Sequence, residues 1–292
     1  MPLSSLRFLD DVRRMKKAYF ETSSINHAHK SELKGSDISI SLKAQGLIPT
    51  IGLHTIYELA KTFLDKKQKE KAQGLFVFLR DLEPTFMPST WDLLSQEVLK
   101  LRTGAAVLPF LSTNNQHAAK IEINRLASGT FDKHAEDFIR SREEKIKKEL
   151  PEASRAYLDQ ISRVAAQDKK RSRRLKTFED VLSYFAPKLP EIIIKILKGY
   201  VSMSEAQEMA QRLNSFPALR STLRTNLYLS FIHISHRVSP AKDRTDDLRH
   251  IIDASYTEII IIGDSQLLKL VNCINPDLQA LPWNDFIESV RN

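Results

Sequence analysis

Four consecutive isoleucines, Ile259–Ile262, are followed at once by Gly263-Asp264. Branching at Cβ stiffens each side chain, and an unbroken apolar run suits a strand buried on both faces. Such a strand needs helices on either side, so the expected class is α/β with a central, mainly parallel sheet in three α/β/α layers. Other short segments supply its neighbours. Ala18-Tyr19-Phe20 reads as a brief buried strand that stops at a polar loop, Glu21-Thr22-Ser23-Ser24. Ile48–Gly52 reads as a second strand with Pro49 near its start, Thr85-Phe86-Met87 as a third, and Leu278–Trp283 as a last edge strand.

Helical spacing fills the rest. Leu53, Ile56, Tyr57, Leu59, Ala60, Phe63 and Leu64 share one face, Gln73–Leu82 continues helical to Glu83-Pro84, and Pro88-Ser89-Thr90 caps a helix from about Trp91. From Thr103 to Ser215 strand signals all but vanish. Phe178, Val181, Leu182 and Phe185 step along one helix, and Leu219, Leu223, Leu227 and Phe231 along another. The expected organisation is therefore one α/β domain in two parts, 1–100 and 216–292, interrupted by an all-α insertion at 101–215.

Several chemistries are excluded by what is missing. The eight glycines never lie closer than six residues apart, so neither a dinucleotide-binding GxGxxG nor a phosphate-binding GxxxxGK[ST] exists. No GxSxG or HExxH occurs. Cys273 is the one cysteine, which rules out internal disulfides and thiolate zinc sites and fits a reducing, cytoplasmic setting; it is expected to be a buried apolar side chain. No secretory leader and no membrane-length apolar run is present, so no membrane partner is expected.

The chain carries a net charge of +8, and thirteen Lys/Arg against six acids between Arg140 and Lys176 account for +7 of it. Lys169, Lys170, Arg171, Arg173 and Arg174 are its densest part. A solvated helix face would explain them equally well, but the functional expectation is a sequence-indifferent surface for nucleic-acid phosphates.

Acids recur where strands should end. Glu21 closes the first strand and Asp264 the isoleucine strand, Asp246-Asp247 open the helix before that strand, and Glu58 lies in the helix after the second extended segment. Residues at the carboxyl ends of adjacent parallel strands converge on one crevice, where clustered carboxylates need a cation between them. Oxygen ligands suit Mg²⁺ or Mn²⁺.

Four blocks, Tyr19-Phe20-Glu21-Thr22-Ser23, Leu53-His54-Thr55-Ile56-Tyr57-Glu58-Leu59, Asp247–Ala254 and Ile260-Ile261-Ile262-Gly263-Asp264, resemble in type and order the PIN-domain nucleases, including the VapC-like toxins. The resemblance spans roughly residues 15–100 and 215–292. It implies a Mg²⁺- or Mn²⁺-dependent endoribonuclease in which Glu21, Glu58, Asp247 and Asp264 are both metal ligands and catalytic residues. RNA is the implied substrate, with DNA left open; an antitoxin protein is a partner the toxin resemblance would add, and a homo-oligomer is left open. Thr22, Ser23 and His250 are auxiliary candidates. Asp246 stays a further metal candidate, because Asp246, His250 and Asp253 share one helical stripe while Asp247 points about a quarter-turn away.

The chain departs from the family in carrying Glu rather than Asp at position 21, Ile262 where Thr or Ser often stands, and a separation of 189 positions from the second acid to the third. These departures frame the alternative, a catalytically weakened PIN fold serving as a nucleic-acid-binding or protein-assembly module. Simpler roles are open to the same residues. Asp264 suits a helix cap, Asp246 and Asp247 a helix N-terminus behind Thr245, His233 and His236 packing and surface roles, and Trp91 and Trp283 core or edge packing.

Overall fold

A computed structural model describes residues 15–144, 175–236 and 242–291, with backbone alone for 233–236, 242–246 and 291. The basic run Lys169, Lys170, Arg171, Arg173 and Arg174 lies outside them. The chain forms two compact units. Of the described residues, 15–89, 108–139 and 256–291 make a sheet unit, and 90–107, 140–144, 175–236 and 242–255 a helical one. Residues 108–139 thus group with the sheet and 216–236 and 242–255 with the helices, a different partition from 1–100, 101–215 and 216–292.

The sheet unit holds five strands, β1 (Lys16–Phe20), β2 (Leu47–Gly52), β3 (Thr85–Met87), β4 (Ile259–Ile262) and β5 (Gln279–Pro282), in the order β3-β2-β1-β4-β5. Every pairing is parallel, with Ala18 opposite both Pro49 and Ile259. β3 pairs with β2 only from Thr50 onward, so Pro49, which lacks an N–H, stands where β2 has a single neighbour. Ile260, Ile261 and Ile262 are all buried, as a strand between β1 and β5 demands.

Strand order reverses at β1. The chain goes outward from β1 to β2 and β3, then returns to place β4 and β5 on the other side. Loops leaving β1 and β4 therefore diverge, and the crevice between their carboxyl ends is where open parallel sheets bind ligands.

Helices α1 (Thr22–Lys30), α2 (Gly35–Ala44), α3 (Leu53–Lys61) and α4 (Lys69–Leu82) separate the first three strands. The expected polar loop after β1 is in fact the first turn of α1. Glu21 is its N-cap and accepts from Ser23 N and Ser24 N, so donors that a helix start leaves unpaired are satisfied locally. α2 begins hard against α4: a Cβ on Gly35 would run into the carbonyl oxygen of Phe78 and lie 2.5 Å from the backbone nitrogen of Leu82. Phe20 meets Phe286 edge-on at 5.5 Å, and Phe63 stacks on Phe131 at 4.9 Å, within a core that also buries Ile25, Phe76 and Phe86.

The helical unit contains α5 (Thr90–Thr103), and then, beyond α6 (Thr113–Ala127) of the sheet unit, α7 (Phe178–Phe185), α8 (Leu189–Ile196), α9 (Met203–Gln211), α10 (Pro217–His236) and α11 (Lys242–Asp253). The stripe Leu219, Leu223 and Leu227 on α10 is buried as its spacing requires. Capping boxes start α7 at Thr177/Asp180 and α9 at Ser202/Glu205. The chain ends with α12 (Ser265–Ile274) and α13 (Trp283–Arg291) in the sheet unit. Trp283 is buried there, whereas Trp91 is 42% exposed and Cys273 only half-buried. Among the described residues, no helix is long and apolar enough to cross a membrane.

Candidate active site

The rim of the sheet unit is organised by one carboxylate. Glu21, 3% exposed, follows the last residue of β1. Its Oε1 accepts from Ser24 N at 2.8 Å, from Gly263 N at 2.8 Å and from the Ser23 hydroxyl, while Oε2 accepts from Ser23 N at 2.7 Å. A single side chain thereby caps α1 and ties the end of β1 to the residue that follows β4. Gly263 has to be glycine for this closure, because a Cβ would lie 2.6 Å from Ser23 Oγ and 2.9 Å from the Ser23 carbonyl carbon.

Thr22, the first residue of α1, projects its hydroxyl to the neighbouring strand's helix and donates to Glu58 Oε2. Glu58 stands on α3, which starts directly after β2 with Gly52 as N-cap. One turn earlier on the same face, His54 Nε2 lies 3.6 Å from Glu58 Oε1, with the carboxylate 16% exposed. A buried hydrogen bond of 3.1 Å between the Tyr19 hydroxyl and Thr55 Oγ1 pins α3 to β1. Glu58 is therefore held by a hydroxyl from one helix and flanked by an imidazole from its own.

Asp264 is exposed and caps α12, its Oδ1 accepting from Gln266 N at 2.5 Å and Leu267 N at 3.2 Å. It adjoins Gly263, the residue bonded to Glu21. The ends of β1, β2 and β4 thus bring Glu21, Thr22, Ser23, Glu58 and Asp264 to the same rim of one sheet.

The other sequence candidates belong to the helical unit. Asp247 and His250 are on α11, half-buried and 2% exposed respectively. The helix begins at Lys242, so Asp246 and Asp247 lie within it and do not open it behind Thr245. The Asp246, His233 and His236 side chains lie outside the described residues. Asp253, third member of the stripe, is buried and accepts from Thr90 Oγ1 at 2.9 Å.

Within the sheet unit, His54 and Glu58 present neighbouring potential ligand atoms, whereas the carboxylates of Glu21 and Asp264 are engaged in capping α1 and α12. His54 precedes Glu58 by four residues, and that spacing was the available signal for a shared helix face. Another buried acid carried no such signal. Glu97 on α5, fully buried, accepts from Ala218 N at 2.7 Å and Leu219 N at 2.8 Å at the start of α10.

No family model matches this chain, and no curated protein or solved structure is significantly similar to it.

Proposed function

We propose that this chain is a divalent-metal-dependent endoribonuclease of PIN type, a toxin-like enzyme whose partners would include RNA and an antitoxin protein. The observation that carries the reading is the placement of the Thr22–Glu58 pair and of Asp264 along the carboxyl-end rim of one parallel sheet whose strand order reverses at β1. In it, Glu58 and Asp264 of the sheet unit serve as oxygen ligands, with His54 beside Glu58 on α3. Carboxylate oxygens suit Mg²⁺ or Mn²⁺. When bound, such an ion lowers the pKa of a water and offsets charge on a phosphate.

The protein's own groups have separate work. Thr22 holds one oxygen of Glu58 and so fixes the direction of the other. Glu21, with four protein donors on its two oxygens, anchors the rim and has little lone-pair capacity left for an ion. That same observation favours an alternative, a PIN fold weakened in catalysis and used as a nucleic-acid-binding or assembly module.

Glu58→Gln decides between them. Under matched Mn²⁺, RNA cleavage is expected to fall by about 10²-fold or more, with the thermal midpoint of the metal-free protein nearly unchanged. Cleavage at the parental rate would remove Glu58 from the reaction. A parent that neither cleaves RNA nor shows any rise in midpoint with Mn²⁺ would leave the binding module.

A further inference from the structure

We infer that the helical unit carries a stacking platform for single-stranded nucleic acid, built on Trp91 and Tyr200. This rests on the nucleic-acid ligand of the function proposed above but not on its metal chemistry.

Four large apolar side chains of this unit are unusually open: Trp91 is 42% exposed, Leu99 51%, Tyr200 56% and Met203 46%. Trp91, Leu99 and Arg102 fall within an arc of about 80° on α5. The segment after α8 lies beside that face, since Lys198 Nζ sits 5.4 Å from the Trp91 ring centre and the Arg102 guanidinium 5.2 Å from that of Tyr200. Each exposed ring therefore has a cation on one face.

Tyr200 is also held in place, which exposure alone would not provide. Its N–H donates to Leu197 O at 2.8 Å, and its carbonyl accepts from Arg102 Nη2 at 2.8 Å. Arg102 is fixed in turn by Glu205 at 2.7 Å, and Glu205 by its capping box with Ser202. Just before it, Lys198 and Gly199 take left-handed φ values of 51° and 76°, a conformation that a residue with a Cβ adopts at a cost. A strained turn and a charged network thus orient a ring that contributes nothing to a core.

Rigid aromatic faces bordered by cations suit unpaired bases, which stack on the rings while Lys and Arg meet the phosphates. Lys195 and Lys198 are both exposed on this unit. A duplex keeps its base faces stacked internally and cannot use such a surface.

The test uses the full chain in EDTA, so that cleavage plays no part. A fluorescein-labelled single-stranded RNA of about 12 nucleotides and its duplex are titrated by anisotropy. The parent should bind the single strand more tightly. Trp91→Ala and Tyr200→Ala should each weaken it about tenfold or more, and Trp91→Phe should stay within about threefold. Trp91 is one of two tryptophans, and stacking should quench an emission that Trp91→Phe removes. Because both rings are exposed, the alanine variants should keep the parental thermal midpoint. The proposal is overturned by alanine variants that bind within about twofold of the parent. It is equally overturned by a duplex bound as tightly as the single strand. Alanine variants that turn a dimeric parent monomeric with RNA affinity unchanged would also overturn it, making the patch an interface between copies.

Discussion

Glu21 and Glu97 are both buried carboxylates that accept backbone N–H groups at a helix start, yet they are built differently. Glu21 caps the helix it introduces, two and three residues ahead, and reaches across the sheet to Gly263. Glu97 lies in the middle of α5 and caps α10 from 121 residues away. In sequence, Glu21 has the position of a chemical group, directly after a strand, and Glu97 that of an ordinary helix acid. In structure both are anchors for polar backbone that water cannot reach, and the contrast shows that burial of an acid does not by itself mark a reaction centre.

The largest test of this comparison is Glu97→Ala. It orphans the N–H groups of Ala218 and Leu219 in a fully buried position. At about 1–3 kcal/mol for each stranded donor, the helical unit should lose roughly 2–6 kcal/mol, read as a fall in the urea midpoint of the full chain. Glu97→Gln keeps one acceptor oxygen and should fall between. A loss below about 0.5 kcal/mol, the level of an incidental surface change, would break the parallel with Glu21.

Glu21→Gln should have a smaller effect and a more informative one. The amide retains an acceptor oxygen but turns an NH₂ toward an N–H donor, so a loss of about 1–3 kcal/mol is expected in the sheet unit. If anchoring is its whole role, the rise in thermal midpoint on adding Mn²⁺ persists in the variant at parental size. Disappearance of that rise would move Glu21 from anchor to ligand.

What could be read in advance divides along the same line. The strands announce themselves as short apolar runs between polar or glycine breaks, most clearly β4, because the interior of a parallel sheet is buried on both faces and demands such runs. α1 was hidden, since Thr22-Ser23-Ser24 carries the composition of a turn and Glu is an unusual N-cap. α2, with serines between its isoleucines, shows little helical stripe and depends on Gly35 seating it against α4. At the site, Glu58 and Asp264 were legible because strand ends locate them. The Glu21–Gly263 bond and the Glu97 cap join residues 242 and 121 positions apart, and no local pattern encodes such pairings. The grouping of 216–236 and 242–255 with the helical unit was not legible, because periodicity marks side chains such as Leu223 and Leu248 for burial without saying what they pack against.

The smallest effect extends the comparison to an acid that is anchored without being buried. Glu205 is held at a pKa of about 2, first by its hydrogen-bonded pair with Arg102 and then by the Ser202 backbone N–H. Its folded value lies below the usual carboxylate value near about 4.3, so the folded state prefers the ionised form. The stabilisation is complete above about pH 4.3 and is lost as pH falls from there through about 2. Glu205→Gln should cost only about 0.2–1 kcal/mol at neutral pH, as solvent-facing pairs do. Its sharper signature is in acid, where the thermal midpoint of the parent should drop more steeply between about pH 4.3 and 2 than that of the variant. Parent and variant differ in this one titratable group, so the difference between the two curves reads Glu205. Parallel curves would show that the pair with Arg102 stores no stability, and that only buried acids act as anchors in this chain.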